Sequence, residues 1–108
     1  MNRGSVIWVD LSDASPPEMG KRRPAVIVSN SVQNQTLDTV VVVPLSSRPP
    51  EIPPLRLRVT VAALKRASYV VIPGLRQIKK SRILESAGRV AARDLDRLDG
   101  AIRDYLSD

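Results

Sequence analysis

For most of the chain the apolar positions come in short β-branched runs, and only at the end do they change to helical spacing. "SVIWVDL", Ser5 to Leu11, is a β-branched and aromatic run entered from Gly4, which predicts an opening strand. "SDASPPEMGKRR" follows with the Ser, Pro and Gly of a loop. Pro24 then begins a second strand, "PAVIVSN", at a first position where a missing N–H does least harm. Residues 31 to 38, "SVQNQTLD", are polar enough for a turn or short helix. Thr39 to Ser47, "TVVVVPLSS", is so continuously apolar that it predicts a central strand buried on both faces.

"RPPEIPP", Arg48 to Pro54, places four of the nine prolines within seven residues, so it cannot pair as a central strand. In "LRLRVTV" Leu55, Leu57, Val59 and Val61 alternate with Arg56, Arg58 and Thr60, the period of a half-buried strand. Strand character resumes at Ser68, with a bend expected at Pro73-Gly74, and the basic stretch "IKKSRIL" follows. From Ala91 the stripe Leu95, Leu98, Ile102, Tyr105 and Leu106 predicts an amphipathic helix. Asp94, Asp96 and Asp99 fall early in it, where the helix dipole favours negative charge. The fold expected is a mainly β (α+β) one: a twisted, mostly antiparallel sheet or small barrel of five or more strands with a C-terminal helix against it.

Composition narrows the chemistry. At 108 residues and 43% hydrophobic content the chain is expected to form one domain, 1–108, with no internal repeat. Seventeen Lys and Arg against 11 Asp and Glu give a net charge of +6, which fits a protein that meets polyanions. There is no Cys and no His, which removes the usual zinc ligands, the thiol nucleophile and the imidazole acid or base. The acids are scattered, so no carboxylate cluster marks a metal site, and no cofactor is expected. No signal-peptide core and no run of 18 apolar residues occurs, so the expectation is a cytoplasmic protein without a membrane partner.

Three places could carry chemistry. Gly20 would let the chain bend so that Lys21, Arg22 and Arg23 crowd the mouth of the second strand. Arginine is suited to a planar, bidentate grip on phosphate, although such a pair also decorates many strand entrances without a partner. Ser46 and Ser47 end the central strand, either as turn formers or as hydroxyls emerging beside a site. Glu18 is a lone acid in the intervening loop, and taken by itself is a solvated side chain.

Taken in order, "RGSVIWVDL", "EMGKRRPAVIVSN", "VVVVPLSS", "SYVVIPGLRQIKKSRI" and the terminal helix resemble the MazF/PemK toxins of toxin–antitoxin systems over most of the chain. The family's G-x-x-R-P pattern is met by Gly20, Arg23 and Pro24, and its L/I-R-x-I-x-K-x-R segment by Leu75 to Arg82. The resemblance implies an SH3-like small barrel with a C-terminal helix, a homodimer, a cognate antitoxin, and metal-independent, sequence-selective cleavage of single-stranded RNA. It places the catalytic arginine on Arg23, the hydroxyl residue on Ser46, where Thr is more usual, and an acid used by some members on Glu18. The Pro-rich loop has an unusual composition for the family and bears on which RNA sequence is read.

Cleaving RNA without a metal requires a base for the 2′-OH, charge stabilisation at phosphorus and a proton for the departing 5′-oxygen. Arg23 suits the second task. Arginine stays protonated, which leaves Glu18 or a substrate-bound water for the first. Trp8, Tyr69 and Tyr105 are the only aromatics, and Trp8 and Tyr69 lie in core-like strands, so stacking is not expected to dominate recognition. Backbone contacts are instead expected from Lys21, Arg22, Ser47, Arg48, Arg56, Arg58, Lys79 and Lys80. The same fold serves gyrase-binding toxins of the CcdB type, which do no chemistry and end in a Trp-containing segment; this chain ends "IRDYLSD". A non-catalytic RNA-binding barrel is the third reading.

Overall fold

The computed structural model describes residues 2–13 and 21–107, so Glu18 and Gly20 lie outside the described residues. The elements run β1 (Ser5–Asp10), β2 (Arg22–Ile27), α1 (Ser31–Thr36), β3 (Thr39–Ser46), β4 (Arg56–Val59), β5 (Ser68–Val71), β6 (Arg76–Lys79), β7 (Ile83–Arg89) and α2 (Ala92–Tyr105). Single 3₁₀ turns, Ile72–Gly74 and Lys80–Arg82, flank β6. Every strand pairing is antiparallel, in the order β4-β5-β3-β2-β1-β7, with β6 also on β3.

The long apolar run makes β3 the hub. It pairs with β2 through Val42–Pro44, while its first half, Thr39–Val42, takes β6 and its last residues, Leu45 and Ser46, take β5. Changing partners along its length lets the sheet fold over on itself. One core cluster holds Ile7, Val9, Ala25, Ile27, Val40, Val42 and Ile78, all at most 3% exposed, with Ile83 packed against it. The other is built from the alternate residues, Val6, Val26, Val43 and Leu45, and packs against Leu57, Val70 and Ile72 and against Leu98 and Ala101 of α2. Both core clusters draw on β1, β2 and β3, so the middle of these strands is buried on both faces and reads as a continuous apolar run. Among the described residues the sheet does not close: β7 pairs with neither β6 nor β4, and the single bridge Val61–Val90 joins residues just beyond β4 and β7.

Several expectations change in detail. The second strand begins at Arg22, so Arg23 lies inside it and Pro24 is its third residue. Proline is tolerated there because the β2–β3 ladder starts only at Ala25–Pro44, leaving Pro24 a strand neighbour on one side. β7 has no apolar alternation to announce it: in "ILESAGR" only Ala87 is buried. Its register on β1 shifts twice, and Gly88 takes a positive φ of 102° beside one of those shifts. In α2, Leu98 is buried and Leu95 and Ile102 pack on the core, but Tyr105 and Leu106 at the end of the predicted stripe are exposed. Leu55, expected on the buried face of β4, is also exposed because the strand starts one residue later.

Asp94, in the first turn of α2, does more than meet the helix dipole. It is 5% exposed, and its Oδ2 accepts the Thr60 N–H at 2.7 Å. Arg97 then donates to Asp94 Oδ1 at 3.5 Å, to the Arg58 carbonyl at 3.2 Å and to Glu51 Oε2 at 3.0 Å. Glu51 also accepts the Arg58 N–H at 2.8 Å. This chain of bonds ties α2, the β4 segment and the Pro-rich loop together.

Candidate active site

The β2–β3 ladder ends at Ala25–Pro44, so Arg23 on β2 and Ser46 on β3 both stand just past the paired segment, Ser46 opposite Tyr69 of β5. Arg23 Nη1 donates to the Leu45 carbonyl oxygen at 3.4 Å, drawing the guanidinium toward the end of β3. Arg23 is half-buried, and loss of solvent lowers its pKa. Arginine starts so far above neutrality that the group stays cationic, now in a setting that strengthens its field. Ser46 Oγ accepts the Arg48 N–H at 3.1 Å. That bond occupies a lone pair and leaves the hydroxyl hydrogen to donate elsewhere.

Both residues line a cleft of about 910 Å³. Its apolar lining is Trp8, Pro24, Leu45, Leu64 and Val71, of which Leu45 is buried and the others half-buried. Its cations are Arg22, Arg23, Arg48, Arg56, Lys65 and Arg66, four of them exposed, with hydroxyls from Ser46, Ser47 and Ser68. Arg22 and Arg23 are consecutive on a strand, where side chains alternate between faces, yet both line the cleft. The cleft therefore wraps around the end of β2, and Arg22 belongs to the same site as Arg23.

The remaining residues expected to touch RNA divide by position. Ser47, Arg48 and Arg56 are in the cleft. Arg56 is also committed to the Pro-rich loop, its guanidinium donating to the carbonyls of Arg48 and Pro50. Lys21 is exposed just before β2 and does not line the cleft; its backbone is left-handed, φ 70°, and its carbonyl accepts the Leu11 N–H at 2.9 Å. Arg58 is exposed on β4 and is likewise outside the cleft.

Lys79 pairs with Thr39 at the far end of β3, seven residues or roughly 23 Å along the strand from Ser46. Lys80 Nζ donates to the Asn34 carbonyl of α1 at 2.7 Å. Of Arg56, Arg58, Lys79 and Lys80, only Arg56 lines the cleft among the described residues.

Three cleft residues were not singled out from sequence. Lys65 and Arg66 stand between two strands, and the loop that carries them folds back to the mouth beside Ser68, whose Oγ donates to the Arg66 carbonyl at 3.4 Å. Trp8, expected in the core, packs on it with part of its ring and turns the rest to the cleft. A large aromatic in an otherwise β-branched strand was the available signal.

The family profile of PemK-like, MazF-like toxins of type II toxin–antitoxin systems matches residues 2–106. Endoribonuclease MazF9 of Mycobacterium tuberculosis is 34% identical over 113 residues, covering 98% of this chain and 96% of its own. Among solved structures, MazF of Deinococcus radiodurans superposes with a TM-score of 0.85 at 21% identity, covering 98% of this chain and 96% of that one. An endoribonuclease in complex with its cognate antitoxin, from a mycobacterial species, superposes with a TM-score of 0.81 at 23% identity, covering 98% and 94%. At these identities the structural matches speak to the fold.

Proposed function

The chain belongs to the PemK/MazF family of type II toxins, and from that premise we propose that it is a metal-independent, sequence-selective endoribonuclease acting on single-stranded RNA. The observation that carries this is a half-buried Arg23, bonded to the Leu45 carbonyl, sharing one cation-rimmed cleft with Ser46. Phosphates meet the rim, and bases meet the apolar lining. The 2′-oxygen attacks phosphorus as its proton leaves, the bond to the 5′-oxygen breaks, and that oxygen is protonated. Arg23 stabilises the charge that grows on the phosphorane, and Ser46 donates to a nonbridging oxygen. The carboxylate proposed for the 2′-OH proton is Glu18.

The test is incubation of purified protein with a long single-stranded RNA in EDTA and in Mg²⁺. Cleavage under both conditions is expected, leaving a 2′,3′-cyclic phosphate on one fragment and a 5′-hydroxyl on the other. Cleavage only with Mg²⁺, or none, would overturn the reading.

The reading includes partners. The chain is proposed to act in the cytoplasm, to pair with a second copy, and to be held inactive by a cognate antitoxin, as the antitoxin complex of a structurally similar endoribonuclease suggests. Among the described residues no helix is long and apolar enough to cross a membrane. Tyr105 and Leu106 at the end of α2 and Val32 and Leu37 around α1 supply exposed apolar surface for such contacts. Sedimentation should give about twice the 11.9 kDa chain mass.

A further inference from the structure

The geometry points to Trp8 as the stacking platform for the base of the nucleotide adjoining the cleaved phosphate. This rests on the cleft being the RNA site, and it assigns a binding role to a side chain whose strand would otherwise make it core.

Three observations converge. First, Trp8 is half-buried and lines the cleft, while the neighbours on its own strand, Ile7 and Val9, are closed into the other core cluster. One part of the indole is held by packing and the other faces open space, so the ring is positioned before any ligand arrives. Second, Trp8 stands opposite Pro24 in the β1–β2 register, and Pro24 follows Arg23 directly. Opposed residues have Cα atoms about 5 Å apart, and the cleft that wraps the end of β2 is lined by Trp8, Arg23 and Ser46 together. Third, Trp8 shares the cleft with other apolar lining that is buried or half-buried, Pro24, Leu45 and Leu64, whereas four of the six cations there are exposed.

A nucleotide has the same division, an apolar base face and an anionic phosphate, and it can satisfy both only with its base on the indole. Stacking of this kind tolerates any base, because each presents a π face. Trp8 would therefore contribute affinity and orientation, leaving sequence choice to the polar groups around it.

Trp8 is the only tryptophan in the chain, which gives the proposal a direct readout. The probe is a 2′-O-methyl RNA oligonucleotide that cannot be cleaved, followed by anisotropy of an end label and by tryptophan emission excited outside the tyrosine band. Both signals should saturate together, with emission quenched. In a series where a single abasic site is moved along the oligonucleotide, quenching should be lost at one position only. Trp8→Phe should bind within a few-fold of wild type and Trp8→Leu on the order of tenfold more weakly. The dependence of affinity on salt should be unchanged in both, since no phosphate contact is removed.

Anisotropy that rises while emission stays flat, or a folded Trp8→Leu that binds like wild type, would overturn the stacking role and leave the nuclease reading standing. Flat anisotropy for wild type would overturn both. If Trp8→Leu does not fold, the wild-type emission and the abasic series decide.

Discussion

Arg23 reaches the carbonyl oxygen of Leu45 at 3.4 Å, and so stands beside the residue that precedes Ser46. The Leu45 bond sets the guanidinium beside the end of β3, and the Pro-rich loop that follows Ser46 carries Arg48 into the same cleft. A site built on strand ends holds its geometry without substrate.

Arg23→Ala should fold, since the side chain lies outside both core clusters, with a modest loss of thermal stability from the bond to the Leu45 carbonyl. RNA cleavage should slow by on the order of 10² to 10³ at saturating substrate, the usual scale for removing one group that stabilises transition-state charge. Ser46→Ala should cost less in rate, since a neutral hydroxyl makes a weaker hydrogen bond than a guanidinium. Arg22→Ala is informative because Arg22 lines the same cleft. It should raise KM with little change in kcat, the sign of a contact made equally in ground and transition states. Single-turnover and steady-state cleavage of one defined oligonucleotide measure all three.

How much of this was legible in the sequence follows from how each element is stabilised. β1 and β3 were plain because alternate residues of each enter the two core clusters, which calls for a nearly continuous apolar run. β7 was not, because it borrows its place from hydrogen bonds to β1 and exposes most of its side chains. Arg23 and Ser46 could be named through a family pattern, but their sharing one cleft depends on the packing of separate strands, which no local pattern encodes. Trp8 and the Lys65–Arg66 pair were hidden for the same reason, since a cleft formed by long-range packing decides which side of a residue meets solvent. Lys79 and Lys80 show the converse: a conspicuous basic run placed at the far end of β3.

Asp94→Ala should destabilise the fold by about 1–3 kcal/mol, because a buried carboxylate is removed and the part-buried bond from the Thr60 N–H is lost with it. For a domain of this size each kcal/mol moves the melting temperature by about 4–8 °C. Arg97→Ala removes only partly exposed ion pairs and should cost under about 1 kcal/mol. Asp96→Ala, on the exposed side of the same helix turn, should stay within about 0.5 kcal/mol and serves as the control. Calorimetry or thermal circular dichroism of the four proteins would check the order.

Glu51 gives a pH signature. The Arg58 N–H, and after it the Arg97 guanidinium, hold its carboxyl below the ordinary value of 4.5. A carboxylate depressed in the folded state adds stability that is present above its unfolded pKa and is lost as pH falls through the folded one. Stability should therefore begin to decline near pH 4.5 and keep declining below it. Glu51→Gln should differ most from wild type at neutral pH and converge with it in acid. Asp10, also held low, chiefly by its bonds from Ser12, has the same sign and leaves some acid slope in the variant. Urea midpoints measured from neutral pH downward would show the two curves meeting; parallel curves would remove Glu51 from the account.

The final prediction separates the two basic regions. A single-stranded polyanion that loses one phosphate contact has a salt dependence shallower by about 0.7 in log K against log[salt]. Lys65→Gln and Arg66→Gln alter exposed cations at the mouth of the cleft, so each should weaken an uncleavable RNA at low salt and flatten its salt dependence by about that amount. Lys79→Gln alters an equally exposed cation at the far end of β3, and should change neither quantity appreciably. Lys80→Gln removes the 2.7 Å bond to the Asn34 carbonyl, so its effect should appear in stability and leave the slope alone. Long-range attraction alone would lower affinity in all four variants alike, because each loses one positive charge. Only direct contact makes the slopes differ by location. RNA affinity for each variant across a salt series decides it, and a flattened slope for Lys79→Gln with none for Lys65→Gln or Arg66→Gln would move the RNA path off the cleft.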